Sequence, residues 1–168
     1  MEILKDENNK NYIKDIKYNN DTFFFLYRVS ALIFNKDKTK ILLFYGNDMD
    51  YYMLPGGKVH QLEKSEDAIK REIIEELGFN NLKFDLVGIS EEIVKDKENY
   101  IQQITLTYKC IYENEIEKES FKSIESDWIN FKWVDINELD NYKIHPSNVK
   151  ELIKNSDSIN HLVEIVNK

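Results

Sequence analysis

Three glutamates, Glu72, Glu75 and Glu76, stand within five residues of one another near the middle of the chain. If the stretch is helical, they fall within an arc of roughly 100°. Glu72 and Glu75 are then i, i+3 neighbours, and Glu72 and Glu76 are i, i+4. Like charges so placed repel, and a helix gains nothing from that unless a cation sits among them. Hard carboxylate oxygens at this density suit magnesium or manganese. The ordinary alternative is a solvated acidic face.

The composition sharpens the choice. The 168 residues carry 31 acidic and 23 basic side chains, a formal charge of −8. A surface built to grip a nucleic-acid backbone or an anionic membrane usually has the opposite sign, so neither partner is expected. If the ligand is a phosphate ester, its charge must be offset by something other than the protein, and a divalent cation is the natural candidate. A single cysteine, Cys110, excludes a disulfide framework and a multi-thiolate zinc site. It sits in an alternating stretch and reads as a small buried apolar residue. His60, His145 and His161 have no metal-ligand spacing. Gly56 to Lys58, GGK, lacks the rest of a P-loop.

The glutamates belong to a longer pattern. Gly57, Glu63, Arg71, Glu72, Ile73, Glu75, Glu76, Gly78 and Phe79 fit, without a departure, the signature of the Nudix hydrolase family. That signature is Gly, five residues, Glu, seven residues, Arg-Glu, an aliphatic residue, any residue, Glu-Glu, any residue, Gly, and an aliphatic or aromatic residue. The chain has only two arginines, Arg28 and Arg71, and Arg71 falls on the signature position. The flanks agree: strand, turn, strand and LPGG before the box, and KWVDINEL after it. The resemblance covers roughly residues 24–153.

The resemblance implies a metal-dependent hydrolase cleaving a pyrophosphate bond in a nucleoside diphosphate derivative of ADP-ribose, sugar or dinucleotide type. A house-cleaning nucleoside triphosphate pyrophosphatase is the alternative within the class. A non-catalytic nucleotide-sensing module is the alternative outside it, although such a module has no need of Arg71 and all four box glutamates. The implied roles follow. Glu72, Glu75 and Glu76 bind magnesium or manganese. Gly56 and Gly57 let the loop fold tightly beside the metal, where the Gly57 backbone supplies a ligand. Glu63 supports the site from the loop, and Arg71 ties that carboxylate to the helix. Lysine would be a poor substitute for this bidentate task. The general base is either a box glutamate such as Glu72 or an acid on the loop before the last strand. That loop offers Glu113, Glu115, Glu117, Glu119, Glu125 and Asp127, and Glu125 is favoured because it lies just ahead of the tryptophan strand.

Other residues are candidates for substrate contact. Arg28, a lone arginine on an apolar strand, suits a ligand phosphate or a structural ion pair. His60 lies inside the box loop. Tyr51, Tyr52, Trp128 and Trp133 could stack on a base, although strand aromatics are more often core. Gln102 and Gln103 could line a polar pocket.

These side chains need a scaffold. The run TFFFLYRVSALIF reads as a strand or a bent pair of strands, with KILLFY as the next. YYML is a short strand ended by Pro55, Gly56 and Gly57. A helix follows, with Ser65 as N-cap, Ile69, Ile73 and Leu77 as buried stripe, and Gly78 as stop. LKFDLVGIS, residues 104–112 and residues 129–133 read as further strands. The tail reads as two helical stretches, one after Pro146 and one over Ile159, Leu162, Val163 and Val166. The fold class expected is α/β: a Nudix-type α/β/α sandwich with a mixed sheet and a central catalytic loop-helix. Residues 1–22 form an N-terminal extension and 23–168 a single domain, with no internal repeat. The N-terminus has no signal-peptide pattern and no run spans a bilayer, so a cytoplasmic protein is expected. Homodimer formation suits a domain of this size, but no interface is legible.

Overall fold

The structure is a computed structural model, and it describes residues 14–167. Its centre is one strand, β2 (Phe23–Asn35), a single 13-residue run rather than a bent pair. Along one edge β2 pairs in parallel with β5 (Asn99–Tyr112) over its whole length. The opposite edge is divided among three partners. β1 (Lys17–Asn19) pairs antiparallel with residues 24–26. The glycine loop takes the middle, where Val59 N–H donates to Tyr27 O, Val29 N–H to Gly57 O, and Ala31 N–H to Pro55 O, at 2.8–3.0 Å. β3 (Lys40–Gly46) takes the far end, at Phe34 opposite Ile41.

The sheet continues from β5 through β4 (Asp85–Asp96) to β8 (Asn160–Asn167), and from β3 through β7 (Ile129–Asp135) to β6 (Ser120–Lys122). It is mixed and does not close. Both faces are covered, and the alternation of β2 and β3 shows how. Val29, Ala31 and Ile33 with Leu42 and Phe44 face α1 (Ser65–Leu77), where Ala68, Ile69, Ile73 and Leu77 meet them. Leu32 and Phe34 with Ile41 and Leu43 face the other way. They meet Leu139 of a 3₁₀ helix (Ile136–Asn141) and Val149, Leu152 and Ile153 of α2 (Val149–Lys154). Burying side chains of this kind is worth about 1.5–3 kcal/mol each. The expected sandwich is therefore what the chain forms.

Three expectations about elements need correction. Ser65 does not cap α1: the N-cap is Lys64, without a side-chain bond, and Ser65 Oγ instead bonds Tyr108 Oη at 2.7 Å. YYML is not a regular strand. It makes only isolated bridges, Phe44 to Met53 and Tyr52 to Ile144. Residues 160–167, expected as helix, form β8, which lies parallel to β4. Its apolar residues fit a helical spacing, yet the strand solution buries Leu162 against the α2-side core while Val163 and Ile165 stay exposed. β-branched side chains favour that outcome. Of the residues 1–22 expected as an extension, the described part pairs with the rest of the fold through β1 and a bridge from Asp15 to His60. Residues 1–13 lie outside the described part. No helix among the described residues is long and apolar enough to cross a membrane.

Candidate active site

The glycine loop reaches the edge of β2 because Gly56 has no side chain. Gly56 sits at φ 140°, and a Cβ there would stand 2.3 Å from Val29 O. At Gly57 a Cβ would stand 2.3 Å from Cδ of Glu72. The second contact is with a functional side chain, so Gly57 keeps open the space into which the Glu72 carboxylate projects. The Gly57 carbonyl, expected as a metal ligand, accepts from Val29 N–H at 2.9 Å, which leaves its second lone pair for a cation.

Arg71 organises the loop and helix. Its Nε and Nη2 donate to the two oxygens of Glu63 at 2.9 and 3.0 Å, the bidentate pairing expected from sequence. Nη2 also donates to Lys58 O at 3.0 Å. Nη1 donates to Glu72 at 2.8 Å and to Glu75 at 3.0 Å. All five guanidinium N–H groups thus have an acceptor. These bonds raise the Arg71 pKa further and lower that of Glu63. Glu63 also accepts from His60 N–H at 2.9 Å, which closes the loop on itself.

Glu76 is the contrast. It is 7% exposed, and its Oε2 is buried without a hydrogen-bond partner. Burial, with the nearby Glu72 charge, pushes its pKa up to about 8, while the Gly56 N–H pulls weakly the other way. Burial likewise raises Glu72, although Arg71 opposes it. An unpartnered carboxylate oxygen in a dry place costs free energy that a bound cation would recover.

Among the described residues no three metal-ligating side chains are gathered tightly enough to hold an ion as they stand. Arg71 is the reason at Glu75, which it draws to itself on the exposed side of α1. The donor set still fits a hard divalent cation. Glu72 and Glu76 are neighbouring carboxylates, one with an orphaned buried oxygen, and both offer the hard oxygen donors such an ion takes.

Glu125 belongs to the same neighbourhood. Its charge raises the pKa of both Glu72 and Glu76. Its loop is pinned to the end of α1: Ile124 N–H and Ser123 Oγ both donate to Glu76 O, at 3.0 and 3.2 Å, and Glu125 N–H donates to Ser123 Oγ. Three of the other loop acids go elsewhere. Glu119 pairs with Lys40 at 2.6 Å, and Glu115 and Glu117 line a separate cleft beside Phe79 and Phe121.

A second cleft opens on the α2 side of the sheet. Its floor holds Arg28, Ser90, Glu92, Gln103 and Thr107, and its walls include Pro146 and Leu152. Burial lowers the Arg28 pKa, and the charges of Glu72, Glu76 and Glu92 pull it back up, so Arg28 stands between the box carboxylates and the cleft. Among the described residues no carboxylate stands within 4.0 Å of it; Glu72 pairs with Arg71 and Glu92 with His145. His60 is absent from this cleft. Its ring faces Asp15 at 3.5 Å and Glu63 at 3.8 Å, bracing the loop. Tyr51 packs edge-on against His145 at the rim, whereas Tyr52 packs between Tyr45 and Tyr142, and Trp133 is core. Trp128 is exposed. Of the two glutamines, Gln103 enters the cleft and Gln102 does not. The sequence did not single out Glu92, and it offered His145 only as a metal ligand without the spacing for one. The available signal was Glu92 at the inward position between Ser90 and Val94.

A family model described as NUDIX domain matches residues 25–155. The chain belongs to the Nudix family. An m7GpppN-mRNA hydrolase of Saccharomyces cerevisiae is 30% identical over 132 residues, which cover 75% of this chain and 12% of the relative. The chain therefore spans about an eighth of the length of the curated relatives it matches. Among solved structures, the mutator MutT protein of Bacillus halodurans superposes with a TM-score of 0.67 at 18% identity, covering 84% of this chain and 90% of that one. The Nudix domain of Shewanella oneidensis NrtR, solved with ADP ribose, gives 0.59 at 16% identity, covering 77% and 86%. These likenesses place the fold, and the Nudix box carries the family.

Proposed function

We propose that the protein is a divalent-metal-dependent pyrophosphohydrolase acting on a small nucleoside diphosphate derivative. The observation that carries this reading is Glu76: a buried carboxylate with an unpartnered oxygen, near Glu72, whose own carboxylate fills the space left by Gly57. Glu72 and Glu76 would hold magnesium or manganese, with Glu75 able to join on release from Arg71. When bound, such a cation offsets phosphate charge and lowers the pKa of the attacking water. Arg71 and Glu63 fix the loop against the helix, so the carboxylates keep their spacing. Glu125 accepts the proton of the attacking water. Arg28, between the carboxylates and the cleft, anchors a phosphate oxygen, and the cleft takes the nucleoside.

Relatives support the substrate class in two ways. One named relative hydrolyses a capped mRNA, and one structural neighbour was solved with ADP ribose. The excess of 31 acidic over 23 basic residues favours a small nucleotide over an RNA chain. The test is a panel of ADP-ribose, nucleotide sugars, dinucleotides, nucleoside triphosphates and capped RNA, with magnesium, manganese or chelator, following mononucleotide and phosphate release. Metal-dependent release from a small nucleotide is expected. No release from any member, or release unaffected by chelator, would refute the reading.

A further inference from the structure

The α2-side cleft has a floor that is polar yet buried: Ser90, Glu92, Gln103 and Thr107 are each less than a tenth exposed. Most of these groups satisfy one another. Ser30 and Thr107 share a hydroxyl hydrogen bond at 2.8 Å. Glu92 is different. Gln103 Nε2 donates to its Oε2 at 2.9 Å, and His145 Nε2 lies 3.2 Å from its Oε1. A carboxylate offers about four acceptor directions and no donor, so each oxygen keeps one direction unused. Gln103 and His145 fix the orientation of the carboxylate, and Met53, Leu54, Pro146, Val149 and Leu152 supply apolar walls.

A fixed, acceptor-only pair of oxygens between apolar walls suits a planar ligand with two adjacent N–H donors. Guanine carries that edge, at N1–H and the exocyclic N2 amine. Adenine and cytosine place an acceptor beside their amino group, and uracil flanks its single N–H with carbonyls. We propose that Glu92 is the base-reading residue and that the cleft selects a guanine-type base, with Gln103 and His145 as positioning residues. This rests on the nucleotide-binding reading above and names the base that it left open.

The test separates base selection from chemistry. Calorimetry with GMP, IMP and AMP measures binding without turnover. GMP should bind more tightly than AMP by roughly 5- to 150-fold, the scale of one good bidentate base contact. IMP, which lacks the N2 amine, should fall between them. In Glu92→Gln, whose amide offers one acceptor and one donor, the GMP-to-IMP ratio should collapse towards unity. Equal binding of GMP and AMP by the wild type, binding of none of the three, or an unchanged GMP-to-IMP ratio in folded Glu92→Gln would overturn the proposal. If Glu92→Gln does not fold, the wild-type series decides alone. Guanine preference without hydrolysis of any panel member leaves base reading standing and removes the reaction. Hydrolysis without base preference does the reverse.

Discussion

Replacing Glu76 by glutamine should make the metal-free protein more stable at neutral and alkaline pH. The carboxyl is raised from an ordinary 4.5 to about 8, so between those values the folded protein holds a proton that the unfolded chain has released. Stability is therefore greatest below pH 4.5 as far as this group is concerned, falls as pH rises through the window, and levels off above 8. The full cost is roughly 5 kcal/mol, from about 1.4 kcal/mol per pKa unit. In a protein of 168 residues that corresponds to a melting temperature lowered by on the order of 10 °C. The assay is thermal unfolding in chelator from pH 5 to 9, wild type against Glu76→Gln, then repeated with saturating magnesium. Wild type should lose stability with rising pH, and Glu76→Gln should lose much less. Magnesium should restore the wild type at high pH and leave the variant nearly unchanged. Glu72 is raised in the same direction, so some slope remains in the variant. Parallel pH profiles in chelator would show that the Glu76 carboxyl is not charged against a dry environment, and the argument for a cation there would fall with it.

Three further outcomes are expected. Arg71→Lys keeps the charge but offers three donors where five are used, so turnover should fall about 100-fold, and near wild-type kcat in the folded variant would refute the clamp. Gly57→Ala places a methyl on Glu72, so calorimetry should show magnesium affinity weakened by roughly 10- to 100-fold; unchanged affinity would mean that the carboxylate moves aside freely. Glu125→Gln should lower kcat by roughly 100-fold while magnesium binding survives, and kcat within a factor of two of wild type would return the base to the box.

The box was legible because its chemistry demands particular residue types at fixed separations along one loop and one helix. The resemblance implied that Arg71 ties the Glu63 carboxylate to the helix, and the two side chains are bonded in the structure. The sandwich was legible from the dense apolar runs of β2 and β3. What was not legible depended on distant chain. Ser65 looked like a cap until Tyr108, 43 residues away, claimed its hydroxyl. The 160–167 segment carried two periodicities at once, and only the open edge of β4 decided between them. Glu92 gave no local motif, because its significance arises from Gln103 across a hairpin and His145 on a later loop.

The divided edge of β2 has a consequence for how such an enzyme can change. The catalytic loop is stitched into the sheet by main-chain bonds at Tyr27, Val29 and Ala31, with β1 and β3 closing it in on either side. Those bonds do not read side chains, and they hold the loop as a rail holds a carriage. The loop cannot follow a substrate outward without breaking the sheet, so adaptation to new substrates must happen elsewhere, on the far face of the sheet. If the proposed function holds, hydrolytic machinery and base selection occupy opposite faces of the sheet, and drift in the second need not disturb the first.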